Sequence, residues 1–266
     1  MFTDVDGTLV DHHTYSFAAA SEILERLKRL GVPLVLCSSK TRAEIERVQQ
    51  DLGTSHPFAS ENGGAVFVPA GYFRFPLPGA HRLGAYDVIE LGTPYARVVE
   101  LLRQSASASD VEIVGFSDMT VDELARDAGL SLPDARLAKL REYDEPFRIT
   151  RADPPGPTRL VRELAKAGLR CSVGGRYHHA SGATDKGMAV RLLTPFFKRT
   201  WGDIVTIGLG DGPNDVPMLR SVDRPVIVSN PASGTTPEVL SQVPGARVTI
   251  APGPQGWREA ITGLLG

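Results

Sequence analysis

The chain has 266 residues, 29 Lys and Arg against 31 Asp and Glu, a net charge of −2 with neutral histidines, and 42% hydrophobic residues. That balance excludes a wholly disordered chain and a low-complexity or collagen-like protein; with Cys37 and Cys171 as its only cysteines it also excludes a disulfide scaffold. A field so close to neutral gives no reason to expect a nucleic acid partner, and no apolar run reaches the roughly 20 residues of a membrane span. The opening MFTDVDGTLV lacks the basic-then-apolar order of a signal peptide, so a cytoplasmic location is expected.

In chain order, a short apolar segment of Met1, Phe2 and Thr3 leads into Asp4. Ser16 is placed to cap a first helix, in which Ile23, Leu24, Leu27 and Leu30 recur at helical spacing and which Gly31 can end. Residues 32–37 (VPLVLC) form a continuous apolar run suited to a strand buried on both faces, and 43–52 reads as the next helix, stopped by Gly53. This is the opening of a doubly wound, mostly parallel, Rossmann-like α/β sheet. From 82 to 182 the pattern changes. Strands are expected at 86–91, 111–116, 146–149 and 170–173, with helices at 94–105, 121–128, 133–141 and 158–167. An inserted α+β unit is expected there, an antiparallel sheet with helices on one face. The α/β rhythm resumes with helices at 186–200, 214–220 and 257–265 and strands at 204–209, 226–228 and 247–250. The core is therefore expected to comprise 1–81 and 183–266, split by the insertion at 82–182.

Asp4 and Asp6 stand two apart in DVDGTL at a probable strand end, where alternate residues point to one side and ligands of open α/β sheets bind. Two carboxylates 4 Å apart repel by roughly 4 kcal/mol at an effective dielectric near 20, so they persist together around a cation or a shared proton. An acidic Asp-Gly turn is the plain alternative. A second acidic pair, Asp211 and Asp215, lies in GLGDGPND after another apolar strand. An all-oxygen set of this kind suits Mg²⁺ with a phosphate. A dinucleotide loop fits poorly, because Pro213 stands where the third glycine would be. Ser38 and Ser39 follow the second strand and open a helix, where a hydroxyl and free amides could hold a phosphate, although a plain helix cap would look the same. Lys186 could supply the positive charge such a site needs.

These pieces in this order, a DxDGT pair, a strand-end Ser, a Lys and GDGxND, resemble the haloacid dehalogenase-like phosphohydrolases, and the position of the insertion resembles their C2-type cap. The strings CSSKTRAE, ENGG, REYDEP, GGRYHH, GLGDGPND and GPQGWRE are similar to those of the mannosyl-3-phosphoglycerate phosphatase family, over nearly the whole chain. Proteins of that family carry more apolar residues before the first Asp, so strand 1 is expected to be truncated and the natural start to lie upstream.

The resemblance implies a role for each matching residue. Asp4 is the nucleophile, forming an aspartyl-phosphate; Asp6 is general acid, then base. Mg²⁺ is held by the Asp4 and Asp211 carboxylates and the Asp6 backbone carbonyl, with Asp215 a direct or indirect partner. Ser38 and Lys186 stabilise the phosphoryl oxygens. The substrate is a phosphorylated sugar carrying a glycerate carboxylate, met by Arg141 and Arg176, with Ser39, Lys40, Glu61, Asn62, Gly63, His179 and Asn214 as further contacts. A broad sugar-phosphate phosphatase or a phosphomannomutase stays open within the same chemistry, and a non-catalytic phosphoglycoside-binding protein outside it. Mannose or glucose, and the oligomeric state, are left undetermined.

Overall fold

A computed structural model describes residues 1–265 apart from 13 and 175. The chain begins with β1 (Phe2–Thr3), α1 (Ser21–Arg29), β2 (Val35–Cys37), α2 (Arg42–Leu52), β3 (Phe58–Ser60), β4 (Ala65–Pro69), β5 (His81–Leu83) and β6 (Tyr86–Glu90). It then builds a second unit from α3 (Tyr95–Ala108), β7 (Glu112–Gly115), α4 (Val121–Ala128), α5 (Leu132–Ala138), β8 (Asp144–Arg151), α6 (Gly156–Lys166), β9 (Arg170–Gly174) and β10 (Tyr177–Ser181). It returns through α7 (Lys186–Trp201), β11 (Ile207–Gly210), α8 (Val216–Leu219), β12 (Arg224–Ser229), α9 (Thr236–Gln242), β13 (Arg247–Pro252) and α10 (Gly253–Leu265).

The larger sheet runs β13-β12-β11-β1-β2-β3-β4-β6-β5. The first six strands of that order are parallel to one another, and β4, β6 and β5 are antiparallel additions at one edge. Although only two residues long, β1 is central, pairing with β2 on one side and β11 on the other. Chain order reverses at β1: β2 and β3 lie to one side, β11 to β13 to the other. A reversal of this kind leaves a crevice beyond the carboxyl ends of the strands.

Alternation sorts the side chains. Leu36, Phe58 and Phe67 join Val5, Leu27 and Trp257 on one face, and Val35, Cys37, Ala59 and Val66 join Leu193 and Phe197 on the other. Both faces are thus buried, as a doubly wound sheet requires. The start of α2 is fixed locally: Thr41 accepts from the Glu44 amide, the Glu44 carboxylate accepts from the Thr41 amide at 2.9 Å, and Gly53 ends the helix in the left-handed region.

The second sheet is antiparallel in the order β7-β8-β10-β9. Its helices do not share one face. Those of α3 and α6 pack with Phe147 and Ala180, whereas α4 and α5 pack with Val114 and Tyr177, which alternation turns the other way. The boundary also moves. Residues 86–90, expected in the insertion, pair with β4 and extend the larger sheet, because Val88 and Ile89 complete its apolar faces. Strands β3, β4, β5 and β10 have no counterpart in the sequence reading. Ser16 Oγ accepts from the Ala18 amide at 3.2 Å, just before the short 3-10 turn Ala18–Ala20, and does not cap α1. Among the described residues, no helix is long and apolar enough to cross a membrane.

Candidate active site

Three strand ends meet at the crevice: Asp4 follows β1, Ser38 follows β2, and Asp211 follows β11. Lys186 enters from the start of α7. All four are buried, and so is Asp215, at 1% exposure. The Asp4 amide donates to Leu209 O at 2.9 Å, extending the ladder past β1 and fixing the base of the nucleophile candidate. Below it, Trp257 Nε1 donates to Thr3 Oγ1 at 3.0 Å, and the Thr3 hydroxyl donates to Asp4 O at 2.8 Å. The GPQGWRE string therefore ties α10 to the first strand.

Lys186 Nζ lies 2.5 Å from Asp4 Oδ1 and 2.6 Å from Asp215 Oδ1. Asp215 Oδ2 accepts from the amides of Asp211 and Gly212, both at 3.0 Å. Asp211 is held on both oxygens, by Thr8 Oγ1 at 2.7 Å and Asn230 Nδ2 at 2.6 Å. Gly7 turns the chain between Asp6 and Thr8 with φ 76°, and a Cβ there would come within 3.0 Å of Asp211 Oδ2. Thr8 and Asn230 were not singled out from the sequence. Both carry the signal that marked the others: Thr8 completes the DVDGT string, and Asn230 directly follows β12.

The electrostatics ask for a cation. Burial lifts Asp4 well above the usual carboxylate range, with Lys186 opposing and Asp215, Asp211 and Asp6 adding to the rise. Burial, then Asp215, pushes Asp211 up to about 6, against the hydrogen bonds from Asn230 and Thr8. Asp4, Asp211 and Asp215 each offer an oxygen, and these lie within 4.8 Å of one another. Three buried carboxylates share one lysine, and an all-oxygen donor set of this size fits a hard divalent cation. Asp6 stands apart. Its Oδ2 pairs with Lys40 Nζ at 3.0 Å, and its Oδ1 is buried without a hydrogen-bond partner among the described residues.

Around this centre the expected substrate contacts divide. Lys40 sits at the rim, paired with Asp6 and Glu44 and 5.1 Å from the Tyr15 ring centroid. Arg176 is exposed and donates to Ala128 O at 2.5 Å. Asn214 Nδ2 donates to Asn62 Oδ1 at 3.3 Å, between the acidic loop and the turn after β3.

Glu61, Arg141 and His179, expected to meet substrate, are instead engaged within the protein. Arg141 has a side chain only 5% exposed, donates to Ser39 O at 2.7 Å, and lies 3.7 Å from Asp144 and 3.9 Å from Glu61. His179 Nδ1 is 2.8 Å from Asp144 Oδ1. Glu61 accepts backbone amides of the second unit. Buried charges demand partners: Arg141 lies between Glu61 and Asp144 across the junction of the two units, and Asp144 also takes the His179 contact.

The model of the haloacid dehalogenase-like hydrolase family matches residues 1–72. A glucosyl-3-phosphoglycerate/mannosyl-3-phosphoglycerate phosphatase of Methanococcoides burtonii is 43% identical over 267 residues, covering 100% of this chain and 97% of that protein. A protein of the same description from Persephonella marina is 39% identical over 268 residues, covering 100% and 96%. A solved structure from Thermoplasma acidophilum shares the fold with a TM-score of 0.67 at 17% identity, covering 99% of this chain and 96% of that one. The chain belongs to the haloacid dehalogenase-like hydrolases and, within them, to the glucosyl-3-phosphoglycerate/mannosyl-3-phosphoglycerate phosphatases.

Proposed function

We propose that the chain hydrolyses the phosphate ester of glucosyl-3-phosphoglycerate or mannosyl-3-phosphoglycerate to the glycosylglycerate and phosphate. The observation that carries the chemistry is the pairing of a buried Asp4, held at 2.5 Å by Lys186, with an Asp6 whose Oδ1 has no hydrogen-bond partner among the described residues.

An Asp4 oxygen attacks phosphorus, and the bond from phosphorus to the glycerate oxygen breaks. Asp6 gives its proton to the leaving alkoxide from Oδ1, the oxygen left free for it. The carboxylate so formed, held in place by Lys40 at 3.0 Å, then takes a proton from the attacking water. That water oxygen attacks the aspartyl-phosphate, phosphate leaves, and Asp4 is restored. Ser38 and Lys186 stabilise charge on the phosphoryl oxygens. Asp4, Asp211, Asp215 and the Asp6 carbonyl would hold Mg²⁺, which when bound screens the repulsion between Asp4 and the phosphate.

Residues 92–182 would act as a cap over the crevice. With Arg141, Glu61 and Asn62 engaged internally, the glycerate carboxylate falls to Arg176 and Lys40 at the rim, and Asn214 offers its amide to a sugar hydroxyl. Acid quenching during turnover followed by peptide mass spectrometry tests the mechanism. A phosphoryl group on Asp4, absent from Asp4→Asn, is expected; a phosphoryl group on another side chain would refute it.

A further inference from the structure

Glu61 sits in the turn between β3 and β4 with 0% exposure, and both of its carboxylate oxygens are occupied. Oε1 accepts from the amide of Glu142 at 2.9 Å, and Oε2 from those of Tyr143 at 2.8 Å and Asp144 at 2.7 Å. Three consecutive amides at the entry to β8 thus converge on one side chain from the other unit. Hydrogen bonds of backbone N–H to a carboxylate are among the stronger kinds.

The turn that carries Glu61 is itself strained. Glu61, Asn62 and Gly63 have φ of 48°, 56° and 89°. Consecutive non-glycine residues in the left-handed region persist only where their surroundings over-determine them. Here the surroundings are the catalytic loops. The Glu61 amide donates to Lys40 O at 3.0 Å, and the Asn62 amide to Ser38 O at 2.9 Å. At Gly63 a Cβ would lie 2.3 Å from the carbonyl oxygen of Asp185, the residue before Lys186. The side chain of Glu61 therefore grips the second unit, while the backbone of the same turn grips Ser38, Lys40 and the root of Lys186. Contacts beside it run the same way: Arg141 donates to Ser39 O at 2.7 Å, and Thr41 Oγ1 to Leu137 O at 3.0 Å.

We infer that Glu61 is a positioning residue: its carboxylate clamps the 142–144 amides and so seats the second unit over the crevice in register with Ser38 and Lys186. Its consequence for turnover rests on the phosphatase reading above, whereas its consequence for amide exchange does not. A cap that is seated less of the time penalises a substrate that needs cap contacts more than one that does not.

The test uses the full chain, with Glu61→Gln, which removes the charge at constant shape, and Glu61→Asp, which keeps the charge and suits a left-handed φ but is one methylene too short. Hydrogen–deuterium exchange is followed on the peptide spanning 142–144, and kcat/KM on mannosyl-3-phosphoglycerate and p-nitrophenyl phosphate. Slow exchange at 142–144 is expected in the natural chain, about tenfold faster exchange in both variants with β2 and β11 unchanged, and a shift of about tenfold in the ratio of the two kcat/KM values against the sugar substrate. Unchanged exchange in a folded variant would overturn the clamp, as would equal losses on both substrates. Should Glu61→Gln not fold, Glu61→Asp gives the same decision, and rapid exchange at 142–144 in the natural chain would overturn the clamp without any variant.

Discussion

Lys186 Nζ lies 2.5 Å from Oδ1 of Asp4, and solvent does not reach the contact: Lys186 is 0% exposed and Asp4 6%. Burial alone would drive the ammonium to shed its proton, but Asp215 and Asp4 more than compensate and hold it above its ordinary range. The lysine stays charged, and it aims the carboxylate that must attack.

Replacing Lys186 therefore removes both a counter-charge and an aiming device. Lys186→Met should lower kcat by roughly 10²–10³, the usual scale for one preorganised donor at developing charge. Lys186→Arg should not restore activity, since a planar fork does not fit a point-charge site. Steady-state kinetics on variants with intact circular dichroism check this, and a loss under tenfold would remove Lys186 from the reaction.

Metal removal is the second lever. With EDTA, phosphate release should stop. Returning Mg²⁺ should raise Tm, because a ligand that binds only the folded state stabilises it in proportion to RT ln(1 + [L]/Kd). Asn230 and Thr8 hold the two oxygens of Asp211. Losing such a partner weakens metal binding by about 10–100-fold. Asn230→Ala should thus need more Mg²⁺ for half-maximal rate, with kcat at saturation less affected. An unchanged Mg²⁺ requirement would show that Asn230 does not orient a ligand.

Arginines 141 and 176 should separate cleanly. Arg141→Ala strands Glu61 and Asp144 without their cation, and breaking a buried pair in this way costs about 3–5 kcal/mol. It should lower Tm and impair every substrate. Arg176→Ala should leave Tm nearly unchanged and raise KM for mannosyl-3-phosphoglycerate but not for mannose 6-phosphate, which has no carboxylate. Differential scanning fluorimetry alongside KM for both substrates decides; a raised KM on mannose 6-phosphate as well would argue against carboxylate recognition.

The pH dependence of stability should carry the signature of Glu61. Burial raises its carboxyl to about 7, against the pull of Arg141 and the amide donors and with Asp144 adding to the rise. A folded pKa above the unfolded value means that the folded state binds the extra proton between about 4.5 and 7. Its contribution to stability is then fully present below the unfolded pKa and lost as pH rises through the folded one. Arg141 and Asp144 face it directly, and His179 faces Asp144. In EDTA, the fall of Tm across this window should be shallower in Glu61→Gln than in the natural chain. Parallel slopes would mean that Glu61 does not titrate there.

Much of this was legible before any coordinates. Asp4, Asp6, Ser38, Asp211 and Asp215 are marked by one rule, that polar residues just past apolar strands face the crevice, whereas Lys186, at the start of a helix, is marked only by the positive charge such a site needs, and it lies against Asp4 and Asp215. The same rule applied to Asn230 would have added it. The short strand 58–60 was hidden by its length, and β6 was misplaced because a strand's local pattern does not say which sheet it joins. Glu61, Arg141 and His179, expected as substrate contacts, are engaged with other protein groups, and the sequence does not show this for a different reason. Charged residues in specific strings look alike whether they meet a ligand or one another, and only burial distinguishes them.

Phosphate release from mannosyl-3-phosphoglycerate, glucosyl-3-phosphoglycerate, mannose 6-phosphate and 3-phosphoglycerate, measured side by side with Mg²⁺ and with EDTA, tests the central claim most directly. The expected result is Mg²⁺-dependent release with kcat/KM strongly favouring one or both glycosyl-phosphoglycerates, and none from Asp4→Asn. Equal rates across the four esters, or release that survives both EDTA and the Asp4 substitution, would contradict it.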